Sequence, residues 1–283
     1  VPDLDSLRRK ADSLRALHRP GDPLVLANVW DCASARILEA SGAPAIATTS
    51  AGVAFAFGYA DGEHIPRGEM LAAVARIAAS VSVPVTADLE AGYGDAPSQV
   101  TETIRGLVNA GGVGLNLEDH VGESERPLLE RSLAVDRVRA VRSAADAAGV
   151  PVVLNARTDS FLKGLGTAEE MLAESLWRGA AYRDAGADCI FVPGVAQPSI
   201  IERIVRELRC PINVLAGAGG PPIAELAALG VARVSLGSGP ARAALTCFER
   251  LVGELAREGT YSGLRDIRSH AEINALMTKA SEP

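Results

Sequence analysis

The chain has 283 residues, the span of one (β/α)8 barrel, with 48% hydrophobic but only 4% aromatic residues. A formal net charge of −7 and a pI of about 5.3 repel phosphate backbones, and so few aromatics offer no base-stacking platform, which argues against nucleic acid as a partner. No run approaches the ~18 apolar residues of a membrane span, no basic-then-apolar leader opens the sequence, and Cys32, Cys189, Cys210 and Cys247 show no paired spacing, so a cytoplasmic protein without disulfides is expected.

Short β-rich runs, each followed by a helical pattern, recur along the chain. In order they cover 24–28, 45–50, 84–90, 113–119, 151–159, 188–194, 211–217 and 233–239. The stretches between them carry apolar residues at three- and four-residue spacing, as over 70–77 and 135–145. Gly42, Gly111, Gly149, Gly186 and Gly230 stand where helices close, and Pro44, Pro84, Pro151 and Pro211 open the strands that follow. Alternation of strand and helix with short connections predicts a parallel sheet. Eight such units, with no G-x-G-x-x-G after the first strand, favour an α/β chain closed into a (β/α)8 TIM barrel over an open doubly wound sheet. The expectation is a single domain over 1–283: a barrel over about 20–256, and a polar helical extension over about 257–283 packing on a neighbouring subunit. Two connections are longer than the usual ~2–6 residues. They run over 51–66 and 120–134, both at the C-terminal face of the barrel, and are candidate lids.

Strand side chains alternate in direction, so residues two apart share a face. Asn28 and Trp30 do so at strand one, and Thr48 and Ser50 at strand two. Thr86, Asp88 and Glu90 follow at strand three, Asn116 and Glu118 at strand four, and Asn155, Arg157 and Asp159 at strand five. Strands buried in a parallel sheet are ordinarily near-continuous apolar runs. Polar residues massed at the ends of successive strands therefore point to a site. Asp88, Glu90 and Glu118 repel one another in a barrel mouth unless a cation compensates them. An all-oxygen set without His or Cys suits a hard ion, Mg2+ first. Arg157 adds a fixed, planar cation for a carboxylate or enolate oxygen. Metal and arginine together fit an anionic substrate that builds up enolate charge. The bland alternative is a salt-bridge network closing the barrel.

Ser50-Ala51-Gly52 either lets backbone N–H groups reach a carboxylate or is a simple tight turn. Trp30 walls the pocket or merely packs. His120, next to Glu118-Asp119, is a candidate proton donor, and Asn213 on strand seven a candidate substrate contact. His64 gains weight only from its place in the first long connection. Gly217-Ala218-Gly219-Gly220 and Gly237-Ser238-Gly239 lie where many barrels bind phosphate on backbone amides, which supports a flavin- or sugar-phosphate-binding barrel as a rival. That rival leaves the acidic cluster unexplained.

Thr48-Thr-Ser-Ala-Gly-Val, Thr86-Ala-Asp-Leu-Glu-Ala-Gly-Tyr-Gly, Gly114-Leu-Asn-Leu-Glu-Asp, Asn155-Ala-Arg-Thr-Asp and Phe191-Val-Pro-Gly follow one another in an order and spacing that resembles the isocitrate lyase/phosphoenolpyruvate mutase superfamily, over about residues 20–250. The resemblance implies barrels that commonly exchange their last helix between subunits and form tetramers. It implies Mg2+ or Mn2+ held by Asp88 and, partly through waters, by Glu90, Glu118 and Asp61. It implies a substrate carboxylate on Ser50, Ala51 and Gly52, with Arg157 on its oxygens. Together with the residue reading, Arg157, Glu118 and His120 are the candidate catalytic set, the proton coming from His120, solvent or a group on a closing loop. Members cleave or form a C–C or P–C bond beside a 2-oxo acid through a pyruvate-type enolate. The lyases carry a Lys-Lys-Cys-Gly-His type of loop after strand four, whereas 120–129 here reads His-Val-Gly-Glu-Ser-Glu-Arg-Pro-Leu-Leu, without Cys. Nor does 120–133 hold the Asn of phosphonomutases and phosphonopyruvate hydrolases. What remains is a short-loop member acting on a small 2-oxo or 2-hydroxy acid, oxaloacetate decarboxylase-like. A phosphonomutase or phosphonopyruvate hydrolase reaction, or a non-catalytic barrel that binds a 2-oxo acid, are the alternatives. Expected partners are a small anionic 2-oxo acid and further copies of the chain, as dimer or tetramer, with no membrane.

Overall fold

A computed structural model describes residues 3–120 and 127–278. In chain order the elements are α1 (Leu4–Ala16), β1 (Leu24–Leu26), α2 (Cys32–Ala40), β2 (Ile46–Ala47), α3 (Ser50–Ala56), α4 (Arg67–Ser80), β3 (Val85–Asp88), α5 (Pro97–Asn109), β4 (Gly114–Glu118), α6 (Arg131–Ala148), β5 (Val153–Arg157), α7 (Ala168–Asp184), β6 (Cys189–Phe191), α8 (Pro198–Leu208), β7 (Ile212–Leu215), α9 (Ile223–Ala228), β8 (Arg233–Ser235), α10 (Gly239–Glu258) and α11 (His270–Thr278), with a 3-10 turn at Ser262–Leu264. The eight strands are all parallel and pair in the order β1-β8-β7-β6-β5-β4-β3-β2. Just past β1, Val29 N–H donates to the Ala47 carbonyl at 2.8 Å and Thr49 N–H to the Val29 carbonyl at 2.9 Å, which draws the two free edges together. The result is the expected (β/α)8 barrel.

Small and β-branched residues make this geometry possible. Leu26, Ala47, Val85, Leu115, Leu154, Ile190, Val214 and Val234 are all buried, and the helices cover them with Ala, Val, Ile and Leu. Asp31 caps α2, and Thr167 with Glu170 forms a reciprocal box at the start of α7. Gly149 closes α6 in the left-handed conformation at φ 68°. At the N-terminal end of the barrel, α1 sends Leu14 inward. A Cβ at position 114 would lie 2.7 Å from the Leu14 side chain and 2.9 Å from Thr86 Oγ1, so glycine is what admits the leucine.

Each strand is shorter than the β-rich run that announced it. The third stops at Asp88, because Glu90 turns into the left-handed region at φ 51°. The second stops at Ala47, and Ser50–Ala56 is helical rather than the opening of a long loop. Its run of Ala, Gly, Val and Phe has no polar face, so no amphipathic period marks it. The second long connection, 120–134, falls partly on residues 121–126, which lie outside the described residues. At the C-terminal end α11 packs on α2, where Arg36 Nη1 donates to the Leu276 carbonyl at 3.1 Å. Among the described residues no helix is long and apolar enough to cross a membrane.

One polar knot ties the helical layer to the strand ends. Asp119, just after β4, points away from the barrel axis and is 3% exposed. It accepts from Tyr182 Oη at 2.7 Å and Arg178 Nη1 at 3.2 Å, while its other oxygen accepts from Asp159 N–H at 3.1 Å. Arg178 also donates to the Leu129 carbonyl at 2.8 Å and to Glu174 at 2.6 Å. Removing one member of a buried ion pair strands the other in a poorly solvating interior. Asp119→Ala is therefore expected to lower the unfolding free energy by about 3 kcal/mol, seen as a fall in the urea midpoint. Asp119→Asn keeps acceptors for Tyr182 and Asp159 and should lose less.

Candidate active site

The C-terminal strand ends enclose a cavity of about 630 Å3. Ser50, Ala51, Asp61, Asp88, Glu90, Glu118, His120 and Arg157, all singled out in the sequence, line it. Trp30, Gly52 and Asn213 do not. Trp30 packs against the core, and Gly52 faces it across so small a gap that a Cβ there would lie 2.9 Å from Trp30 Cβ. Asn213 is fully buried in β7, where its Oδ1 accepts from Ser235 Oγ at 3.3 Å.

Asp88 is held from two sides. One oxygen accepts from Ser50 N–H at 3.1 Å and Ser50 Oγ at 2.9 Å; the other accepts from Asn116 Nδ2 at 3.3 Å. Asn116 is oriented in turn by Asn155, whose Nδ2 donates to its Oδ1 at 2.7 Å. Ser50 Oγ also lies 3.5 Å from Asp61, so one hydroxyl bridges two carboxylates. Ser50 thus serves Asp88 directly, and of its tripeptide Ser50 and Ala51 line the cavity while Gly52 does not. Glu90 accepts from Glu63 N–H through one oxygen, and its other oxygen is buried without a protein partner.

Arg157 is the cation that the carboxylates of the site engage. Its Nε and Nη2 bond Asp159 at 2.5 and 2.9 Å, and its Nη1 bonds Glu118 at 2.5 Å. Burial alone would depress the guanidinium, but Glu118 and Asp159 outweigh it and raise its pKa. Glu118 is itself pushed well up, by burial first, against the opposing pull of Arg157. Asp61 is raised by burial and then by Asp88.

Two groupings bear on a metal ion, one by the spacing of its ligand atoms and the other by its uncompensated charge. Glu118, His120 and Asp159 bring one ligand atom each within 4.8 Å of one another, yet Arg157 already neutralises both carboxylates there. Asp61, Asp88 and Glu90 have no cationic partner among the described residues, and Glu90 keeps an orphaned oxygen. Their chemistry, oxygen only, fits Mg2+ or Mn2+. On charge, the second grouping is the better cation site.

Sequence reasoning reached the acidic residues because alternation at strand ends carries them. It placed Asn28 among the strand-end polar residues but gave it no role; Asn28 holds three segments together, its Nδ2 donating to the Thr48 carbonyl at 2.8 Å and its Oδ1 accepting from Leu236 and Gly237 N–H at 2.9 Å. It also missed Leu162, Lys163, Phe191 and Leu215 on the cavity wall. Phe191 and Leu215 end their strands and were accessible to the same alternation argument; Leu162 and Lys163 lie in a loop that no pattern marks.

Burial, then Asp88 and Asp61, push the Glu90 carboxyl up from its ordinary 4.5 to about 8. A carboxyl raised by folding destabilises the fold as pH climbs from the unfolded value towards the folded one, and the full penalty applies above the latter. In EDTA, Glu90→Gln should therefore melt above the parent at about pH 8.5, by at least the ~2–4 °C that 1 kcal/mol produces in a chain of this size. The gap should shrink towards about pH 4.5, measured as paired thermal melts. A gap that is constant with pH would contradict the assignment.

Comparison with known proteins matches this geometry to a family. The sequence pattern described as phosphoenolpyruvate phosphomutase matches residues 14–256. A crystal structure of a candidate lyase/mutase from Burkholderia cenocepacia J2315 is 41% identical, with a TM-score of 0.90, covering 97% of each chain. The crystal structure of a 2,3-dimethylmalate lyase, a member of the phosphoenolpyruvate mutase/isocitrate lyase superfamily, is 30% identical with a TM-score of 0.82, covering 95% of this chain and 94% of the other. Oxaloacetate decarboxylase 2 of Pseudomonas fluorescens (strain Pf0-1) is 30% identical over 210 residues, 71% of this chain and 69% of the relative. With its strand order, its acidic barrel mouth and a match over most of its length, the chain belongs to the phosphoenolpyruvate phosphomutase family, within the isocitrate lyase/phosphoenolpyruvate mutase superfamily.

Proposed function

We propose that the protein is a Mg2+-dependent lyase that breaks the C–C bond beside the 2-oxo carboxylate of a small acid, through an enolate, with oxaloacetate decarboxylation as the parent reaction. The observation that carries this reading is the division of charge in the cavity. Among the described residues Asp61, Asp88 and Glu90 lack a cation, while Arg157 is locked between Glu118 and Asp159. Relatives that include an oxaloacetate decarboxylase and a 2,3-dimethylmalate lyase support the C–C reaction class.

Asp88, Asp61 and Glu90 would hold the metal, with Glu118 behind them. Bound there, Mg2+ or Mn2+ supplies Lewis-acid polarisation of the substrate's carboxylate and 2-oxo oxygens. Ser50 and Asn116 fix the Asp88 carboxylate, so that little reorganisation is needed when substrate arrives. The Arg157 guanidinium has five N–H donors; three are committed to Glu118 and Asp159, and the two left over can meet the oxygen on which enolate charge develops. Glu118 and Asp159 set the plane of that guanidinium, and Asp119 secures Asp159 from behind. The imidazole of His120, on the cavity wall, is the proton source for the enolate carbon.

The decisive assay is release of pyruvate from oxaloacetate by the full chain. Turnover should be lost in excess EDTA and restored by Mg2+ or Mn2+. Asp88→Ala and Arg157→Ala should each lower kcat by about 10²–10³, the range for removing a preorganised electrostatic group. Undiminished turnover in EDTA would refute the reading. The same assay with phosphonopyruvate reads out the P–C alternative. Metal-dependent binding of pyruvate without turnover of either acid would mark a non-catalytic barrel.

We further infer that the chain, folded as one domain, works as a homo-oligomer joined through its C-terminal helices. Along α10, Leu245, Phe248, Val252 and Leu255 are 52%, 64%, 46% and 48% exposed, and Tyr261, Leu264 and Ile267 extend the apolar stripe. Such a patch exceeds what isolated surface leucines explain. The parent should run in light scattering at a multiple of 29.3 kDa, and the double substitution Phe248→Asp with Leu255→Asp should shift it to the monomer.

A further inference from the structure

The arginine that opens β8 touches neither the active-site cavity nor solvent. Arg233 is 1% exposed and lies in register with Asn213 on β7. Ser235, two residues on and on the same face of the strand, lines the cavity; Arg233 sits one layer beneath it, towards the end that α1 closes. A guanidinium keeps its charge inside a protein, and burying a charge that nothing answers is strongly unfavourable. Arg157 and Arg178 are answered by carboxylates. Arg233 makes no salt bridge among the described residues, and its Nε and Nη1 have no hydrogen-bond partner there. The hydrogen bond it does make crosses the barrel to β4. Nη2 donates to Asn116 Oδ1 at 3.4 Å, and Nδ2 of the same amide donates to Asp88 at 3.3 Å. Asn155 Nδ2 holds that Oδ1 as well, at 2.7 Å, so a flipped Asn116 would set donor against donor. The amide dipole is thus fixed with its negative end on the guanidinium and its positive end on the carboxylate, and each charge polarises the group between them. Other neighbours supply no balancing charge. Burial lowers the guanidinium pKa, and Cys189 and then Asp88 raise it. Burial first of all also pushes the Cys189 thiol up, so it stays protonated. His18, bonded to the Leu14 carbonyl, is pushed down to about 4 by burial first and Arg233 next, so it is uncharged. Asp88 is the anion that remains.

We propose that Arg233 is the internal counter-charge of Asp88: coupled to it through the Asn116 amide, it steadies that carboxylate in the metal-free protein and moderates the affinity of the divalent ion that competes for it. The proposal rests on the metal reading of the same cavity. Arg233 touches no reacting atom, so it is a positioning residue. A guanidinium and a divalent cation draw on the same negative charge and repel each other across it. Without Arg233 the ion gains the whole of the Asp88 charge and loses a like-charged neighbour. The residue therefore loosens the metal and stabilises a metal-free site crowded with carboxylates.

The test pairs two measurements on the full chain: titration with Mn2+, read by loss of the free-ion electron paramagnetic resonance signal, and urea unfolding in EDTA. Arg233→Met, close in length and uncharged, should bind Mn2+ about tenfold or more tightly than the parent, whereas Arg233→Lys, which keeps the charge, should stay within about threefold. In EDTA, the change in urea midpoint caused by Arg233→Met should be more destabilising in the parent than in an Asp88→Asn background, where no anion is left to strand. A purely packing role for the side chain predicts equal changes in the two backgrounds. If Arg233→Met alone does not fold, the Arg233→Met and Asp88→Asn pair should, since it removes both charges. Weaker or unchanged Mn2+ binding by Arg233→Met, equal midpoint changes, or a double variant that also fails to fold would each overturn the counter-charge while leaving the metal reading intact. A parent that takes up no Mn2+ would remove the metal reading and the moderating role with it; the urea comparison, which needs no metal, then decides the pairing of Arg233 with Asp88 by itself.

Discussion

Among the described residues five carboxylates, those of Asp61, Asp88, Glu90, Glu118 and Asp159, face one cavity, and a single guanidinium is bonded to any of them. Arg157 answers Glu118 and Asp159 and leaves the other three to one another. That imbalance organises the rest of the site. The uncompensated trio is where a divalent cation gains most, and the compensated pair is where a guanidinium can be held rigid without the metal. A more even distribution of charge would make a stable salt-bridge lattice and a poor metal site. The raised pKa of Glu90, to about 8, records what the fold tolerates to keep the arrangement.

The barrel keeps that imbalance in place by using both faces of its strands. Adjacent residues in β4 and just beyond it do opposite work. Glu118 points to the axis and meets Arg157, and Asp119 points outward and meets Arg178 and Tyr182. Through Asp159 N–H, the outer knot fixes the residue that grips Arg157. Chemistry at the centre is therefore braced by α7, which contributes Arg178 and Tyr182 without touching the cavity.

Much of this could be read from the order of residues. Period-two alternation needs only local geometry, so the inward direction of Asp88, Glu118 and Arg157 followed from the strands themselves, as did the closed parallel sheet from eight repeating units. What could not be read depends on contacts between distant segments. Trp30 shares a face with Asn28, but tight packing at Gly52 diverts it from the cavity. Asn213 faces inward as alternation requires, but it sits too deep to reach the cavity. The strands end earlier than their hydrophobic runs because left-handed turns such as Glu90, and the helix beginning at Ser50, intervene. Neither leaves a signature in hydrophobic period. Leu162 and Lys163 reach the cavity only because Gly194 lets one connection press on another.

The leucine at the far end of the barrel governs traffic. Leu14 reaches in from α1, beside a Gly114 that offers it room, and is wholly buried. The barrel is stoppered at that end, so it is a cul-de-sac with one doorway. In the proposed reaction, substrate, metal and both products would share that doorway, with no second route for the larger fragment. The order in which they would leave is then set at the rim and not at the floor.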